Sequence, residues 1–314
     1  MSDHHQESFW RKYVFSIDHK VIGIQYGVTS LVFLLFGFIL MLVMRYQLAY
    51  SETPIPFIGA WLFPETGGVM LPDKYNMFGA MHGTVMIFLG VVPLAVGAFG
   101  NYLVPLQVGA IDMAFPKLNM MSYWVYFVGG VVMMSSFFLP GGAAQSGWTS
   151  YPPLANINPG QTVWLLAMVF LITSSLLGSM NIIVTIVQLR AKGLTFMRLP
   201  FFTWAQLVTN FLLLLAFPPL EAAAVLQLFD RVAHTSFFMP TGLVVSGKAL
   251  TIAGGGNPLL WQHLFWFLAH PEVYVLILPA MGILAEIISN NTRKPIWGYK
   301  SLVYSTIFLG FMSF

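Results

Sequence analysis

The sequence has no cysteine and very little charge. With no thiol in 314 residues, disulfides, thiolate zinc sites, iron–sulfur clusters and a cysteine nucleophile are excluded together. Any metal must sit on histidine, on carboxylate or on another chain. Charged residues make up 8% of the chain, against about 25% in ordinary soluble domains, while 57% is hydrophobic. Such a chain cannot turn most of its surface to water, so it reads as a polytopic membrane protein with the lipid bilayer as its surroundings. The net charge of +3 comes from short scattered basic clusters, not a basic face, so nucleic acid is not an expected partner. Residues 1–13 are polar and no short apolar core with a small-residue cleavage site follows, so no cleaved signal peptide is expected.

A spanning helix needs about 20 apolar residues. Runs of that kind lie at 21–46, 76–104, 120–139, 161–189, 201–229 and 259–288, each flanked by proline, glycine or charge. A seventh begins at 301 and is still apolar at 314. Its 14 residues make about 21 Å of helix against a core of about 30 Å, so the chain reads as cut short there. The expected fold class is an all-α transmembrane helix bundle, six complete spans plus a truncated seventh, forming one transmembrane domain over 1–314. When connections are assigned alternately to the two sides, lysine and arginine divide ten to four in favour of the N-terminal side. That bias puts the N-terminus in the cytoplasm.

Ionisable side chains at membrane depth are costly and are functional candidates by default. His82, Glu221, His263, His270 and Glu272 fall in this class. His82 lies about six residues from the outer end of its span and His270 about eleven, depths of roughly 10 and 16 Å. Two buried imidazoles are therefore expected in the outer half of the membrane. Each is either a hydrogen-bonded structural residue or a ligand to a metal or haem iron. Gly83, next to His82, would let a flat macrocycle approach the helix. Pro271 removes a backbone donor after His270, and Tyr274, four residues on, shares its helix face.

The run 266–274 (WFLAHPEVY) resembles the signature of subunit I of the haem–copper cytochrome c oxidases. Residues 97–102 (GAFGNY), 112–119 (DMAFPKLN) and 151–154 (YPPL) fit the same pattern. These landmarks follow the family's order from Asp18-His19-Lys20 to Lys294-Pro295, covering essentially the whole chain.

The resemblance implies a terminal respiratory oxidase that reduces O2 to water with electrons from cytochrome c and pumps protons across a respiratory membrane, here a bacterial inner membrane. It implies that His82 is an axial ligand of a low-spin haem, haem A, and that His270 binds the copper of a binuclear centre shared with a high-spin haem. Tyr274 would be covalently joined to His270 and supply a proton and an electron. Arg45 would touch a peripheral haem substituent, and Trp266 would pack beside the binuclear centre. Glu272 would end the principal proton route, fed from Asp112 at its mouth through Asn101, Asn119 and Ser122, then Asn181, Ser175 and Ser174. Helix length agrees with a long route, since Glu272 stands about sixteen residues, roughly 24 Å, from the inner end of its span. The remaining copper and haem ligands are expected beyond Phe314, so this stretch alone is expected to be inactive. The partners implied are oxidase subunits II and III and cytochrome c.

Some positions depart from the pattern. Ala285 stands where many relatives carry a serine of a second proton route, and the connection 231–258 is long and reads as a partner-contact surface. His263 reads as structural, and Glu221, after Pro218-Pro219, has no assigned role. A quinol oxidase is the alternative; Phe36 and Leu40 occupy the places where that branch carries arginine and aspartate. Nitric oxide reductase is disfavoured by Tyr274, and a haem-free proton-coupled transporter would rest on Glu272 and Asp112 alone.

Overall fold

The computed structural model describes residues 8–245, 247–249 and 254–314; the first seven residues of the polar opening lie outside the described residues. Six helices are long and apolar enough to cross a membrane: α1 (His19–Ala49), α2 (Pro72–Val108), α3 (Pro116–Phe138), α4 (Gln161–Gln188), α5 (Phe201–Val232) and α6 (Pro258–Thr292). A shorter helix, α7, covers Tyr299–Phe311. Each span begins within about five residues of its predicted start, because charge, proline and capping side chains fix the ends. Asp18 accepts hydrogen bonds from the N–H groups of Lys20 and Val21 to cap α1, and Asn257 caps α6 through Leu259. Proline opens α2, α3 and α6, where its missing N–H costs nothing.

Helices adjacent in sequence pack as neighbours, α3 on α4, α4 on α5 and α5 on α6, while α2 contacts α1, α4, α5 and α6. The most apolar stretch of α2 is 56% buried, against 28% for α6, so α2 is the central helix and α6 the peripheral one. Small residues let α2 take that place. A Cβ on Gly97 would fall 2.6 Å from the ring of Tyr26 in α1, and one on Gly90 2.5 Å from Leu34. Within α2 the helix widens into π turns over Val85–Val91 and Pro93–Ala98. Glu286 of α6 accepts hydrogen bonds from the N–H groups of Phe201 and Phe202, tying the start of α5 to the last turns of α6.

In the long connection after α5, Asp230 accepts from Thr235 Oγ1 (2.7 Å) and from the N–H groups of Phe237 (2.7 Å) and Phe238 (2.9 Å). A two-stranded hairpin follows, β1 (Val244–Val245) against β2 (Lys248–Ala249). Residues 246 and 250–253 of this connection lie outside the described residues.

Candidate functional site

His82 lies ten residues into α2, about 15 Å from its N-terminal end. Its Nδ1 is 2.8 Å from the carbonyl oxygen of Gly37 in α1. An imidazole that donates Nδ1–H to a backbone carbonyl keeps the Nε2 lone pair, the form in which histidine binds a metal. His82 is half-buried, and π turns, which recur at functional sites, begin three residues later. The expectation for Gly83 is corrected. A Cβ there would lie 3.3 Å from the Trp148 indole, so the absent side chain admits this tryptophan and not a macrocycle. The Trp148 ring also meets Phe88 of α2 at 6.3 Å, and Phe265 and Trp266 of α6 at 5.3 and 6.5 Å. One indole thus connects the His82 and His270 stretches.

The rings of His270 and Tyr274 meet edge to face with centroids 4.8 Å apart. Among the described residues His270 is exposed, as is His263. The reason is the position of α6: as the outermost span it has a face that no described part of this chain covers. Trp266 is 46% exposed and its Nε1 donates to the Tyr151 hydroxyl. Two residues from His270, a rotation of about 200°, Glu272 turns to the opposite side. It is 1% exposed, and neither carboxyl oxygen has a hydrogen-bond partner.

A polar column leads up from the loop between α2 and α3. Asp112, half-buried in this loop, accepts the N–H of Met113 at 2.6 Å. Burial raises its carboxyl above the ordinary carboxylate value of 3.8; the Met113 hydrogen bond and the charge of His19 act in the opposite sense. The amide of Asn181 is spent on the loop, accepting from the N–H of Phe115 (2.9 Å) and donating to its carbonyl (3.2 Å). By contrast, Oδ1 of Asn101 and both amide atoms of Asn119 are buried without partners. Above them Ser122 donates to the carbonyl of Asn119 (2.7 Å), and Ser174 to that of Ser122 (2.6 Å).

The Tyr26 hydroxyl lies between the two serines, 3.1 Å from Ser122 Oγ and 3.4 Å from Ser174 Oγ. Sequence reasoning passed over Tyr26 because one tyrosine in an apolar span looks like core; its four-residue spacing from Ser30, also polar, was the available signal. A cavity of about 40 Å³ opens beside Tyr26, lined by Asn101, Ser174, Ser175 and Ser179 among others. That is space for water, and the orphaned Oδ1 of Asn101, a residue of its wall, is a partner such water needs.

Arg45 is exposed near the C-terminal end of α1, eight residues or about 12 Å beyond Gly37. Among the described residues no three of histidine, aspartate and glutamate come together as a metal-holding cluster. His82 and His270 can therefore each supply one ligand, and no more.

A family model described as cytochrome c and quinol oxidase polypeptide I matches residues 21–314. The chain belongs to this family. It is 44% identical to the alternative cytochrome c oxidase subunit 1 of Bradyrhizobium diazoefficiens, over 99% of this chain and 51% of that protein. It is 43% identical to cytochrome c oxidase subunit 1 of Synechocystis sp., over 99% of this chain and 52% of the relative. For the same subunit of Thermostichus vulcanus the identity is 43%, over 98% and 51%. The chain thus spans about half the length of the oxidase relatives it matches, and membership of the oxidase family accounts for both the helical bundle and the motifs around His270.

Proposed function

We propose that this chain is the N-terminal portion of the catalytic subunit of a terminal respiratory oxidase, which reduces O2 to water with electrons from cytochrome c and moves protons across the membrane. The observation that carries the reading is the two-sidedness of α6. His270 and Tyr274 share one face, and the buried, unpartnered Glu272 stands on the other, toward the bundle that contains the polar column. A single helix thereby brings a metal-binding imidazole with a phenol and a proton-carrying carboxyl within two residues of each other.

His82 would hold a low-spin haem A, because its Nδ1 is committed to the Gly37 carbonyl and Nε2 is left to bind iron. His270 would supply one ligand to copper, next to a high-spin haem, with the remaining ligands coming from the rest of the subunit. When bound, the haem irons and copper supply electron transfer and oxygen binding. Tyr274, in ring contact with His270, holds a phenolic proton at that centre. Trp266, fixed by Tyr151, packs the approach from the outer side, and Arg45 is available to a haem substituent.

On the proton side, Asp112 collects protons at the mouth, Asn119 and Ser122 carry the column upward, and water in the cavity bridges Asn101 to Ser174 and Ser175. Asn181 holds the Asp112 loop in place. Glu272, with no fixed hydrogen bond, is free to receive a proton and turn with it. The ten-to-four lysine and arginine bias supports a cytoplasmic N-terminus, hence uptake from the cytoplasm of a bacterial inner membrane. The long connection after α5 is suited to contact with oxidase subunits II and III, and Phe36 and Leu40 favour cytochrome c over quinol as donor.

The test uses the complete subunit in membranes lacking other oxidases, with reduced-minus-oxidised spectra taken with and without carbon monoxide. A low-spin haem band plus a carbon-monoxide-sensitive high-spin haem is the expected result. Well-expressed protein with no haem signal would end the oxidase reading and leave a proton-coupled transporter built on Asp112 and Glu272.

A further inference from the structure

Two carboxyls lie at membrane depth, and only Glu272 belongs to the route above. Glu221 lies on α5, eleven residues or about 16 Å from the outer end at Val232. Thr173 lies twelve residues into α4, about 18 Å deep, so the two stand at one level. Thr173 Oγ1 donates to Glu221 Oε1 at 2.8 Å. Among the described residues this is the one hydrogen bond Glu221 makes, and no cation pairs with it. Glu221 is half-buried, and the residues flanking the pair are exposed: Phe170 (39%) on α4, Leu215 (57%) on α5, with Pro218 and Ala222 beside it. The pair thus sits in a seam whose flanks are exposed on the outside of the described bundle, apart from the cavity beside Tyr26.

We propose that the Glu221 carboxyl, held by Thr173 and reachable from the apolar outside of the bundle, is a modification site for lipid-soluble carbodiimides. In that reaction the acid adds across one C=N bond. The carboxyl oxygen bonds to the central carbon, the acid proton passes to one nitrogen, and the acyl group then migrates from oxygen to the other nitrogen to leave a stable N-acylurea. No oxidant enters and nothing leaves. The inference needs the membrane-embedded bundle but not the oxidase reading.

The experiment treats the complete protein in native membranes with dicyclohexylcarbodiimide or with a water-soluble carbodiimide, followed by peptide mass mapping. The lipid-soluble reagent is expected to leave an adduct on Glu221 that is absent in Glu221→Gln, and the water-soluble reagent is expected to leave none. The haem spectrum of the same membranes separates failure of this inference from failure of the oxidase reading. No adduct in membranes with the expected helical content overturns the proposal, as does equal labelling by both reagents.

Discussion

Removing one oxygen, in Tyr26→Phe, separates a proton route from mere helix packing. The hydroxyl lies 3.1 Å from Ser122 Oγ and 3.4 Å from Ser174 Oγ, but neither serine depends on it. Ser122 still donates to Asn119 and Ser174 to Ser122 after the change. The ring keeps its contacts with Tyr123 and Tyr126, both at 5.2 Å. With no orphan left behind, the stability cost is that of one net hydrogen bond, about 1 kcal/mol. Proton transfer is affected differently, because the deleted hydroxyl bridges the two serines next to the cavity. If 1–2 kcal/mol of hydrogen bonding is lost from the transfer barrier, turnover falls roughly 5- to 30-fold. Oxygen consumption and proton release by the complete enzyme in vesicles would show this, beside haem spectra and a thermal midpoint. The expected pattern is unchanged haem bands, a slightly lower midpoint and a large loss of turnover. Unchanged turnover would refute the route and leave Tyr26 as packing. Gly97→Ala provides a matched check without deleting any oxygen: its Cβ would fall 2.6 Å from the Tyr26 ring, so the ring must shift and turnover should fall again.

Further outcomes can be tested on the same enzyme. Burial raises the Asp112 carboxyl, so it takes up its proton at higher pH than an ordinary carboxylate; its contribution to folding is full below 3.8 and is lost as pH rises through the raised value. The acid limb of the proton-uptake profile should lie correspondingly high, and Asp112→Asn should abolish it and slow uptake while both haem spectra persist; an unchanged profile would count against Asp112 as the mouth. His82→Leu should erase the low-spin haem band, and a retained band would remove His82 from the ligand set. Asp230→Ala strands the N–H groups of Phe237 and Phe238 and should cost about 2–3 kcal/mol, read as a lowered thermal midpoint with turnover per haem intact.

The spans were legible because the punctuation is physical. With so few charges, nearly every one marks a helix end, and Asp18 and Asn257 act as the caps their residue types suggest. Glu272 was legible as an ionisable group in an apolar run; that its carboxyl is buried without a partner is what the structure adds. Two features were not legible. Gly83 looked like space for a ligand because a glycine announces a close approach without naming what approaches; here it is Trp148, from 65 residues along the chain. Tyr26 joined the column through contacts with α3 and α4, which no pattern within α1 encodes. Depth along a helix axis and depth within the bundle are independent: hydropathy sets the first, and the face turned inward sets the second.

That independence also explains how α6 can serve two chemistries. At 3.6 residues per turn, positions four apart are neighbours and positions two apart are nearly opposed. His270 and Tyr274 are therefore held in ring contact, while Glu272, midway between them in sequence, points into the bundle and never competes for the same ligand. A spacing of three or four would have placed the carboxyl beside the imidazole, where it could bind the metal or donate to it. On the proposed reading, two residues of offset would keep proton delivery close to the metal-binding face but on its own side of the helix, and the buried, unpartnered state of Glu272 follows from that offset as directly as the ring contact of its neighbours.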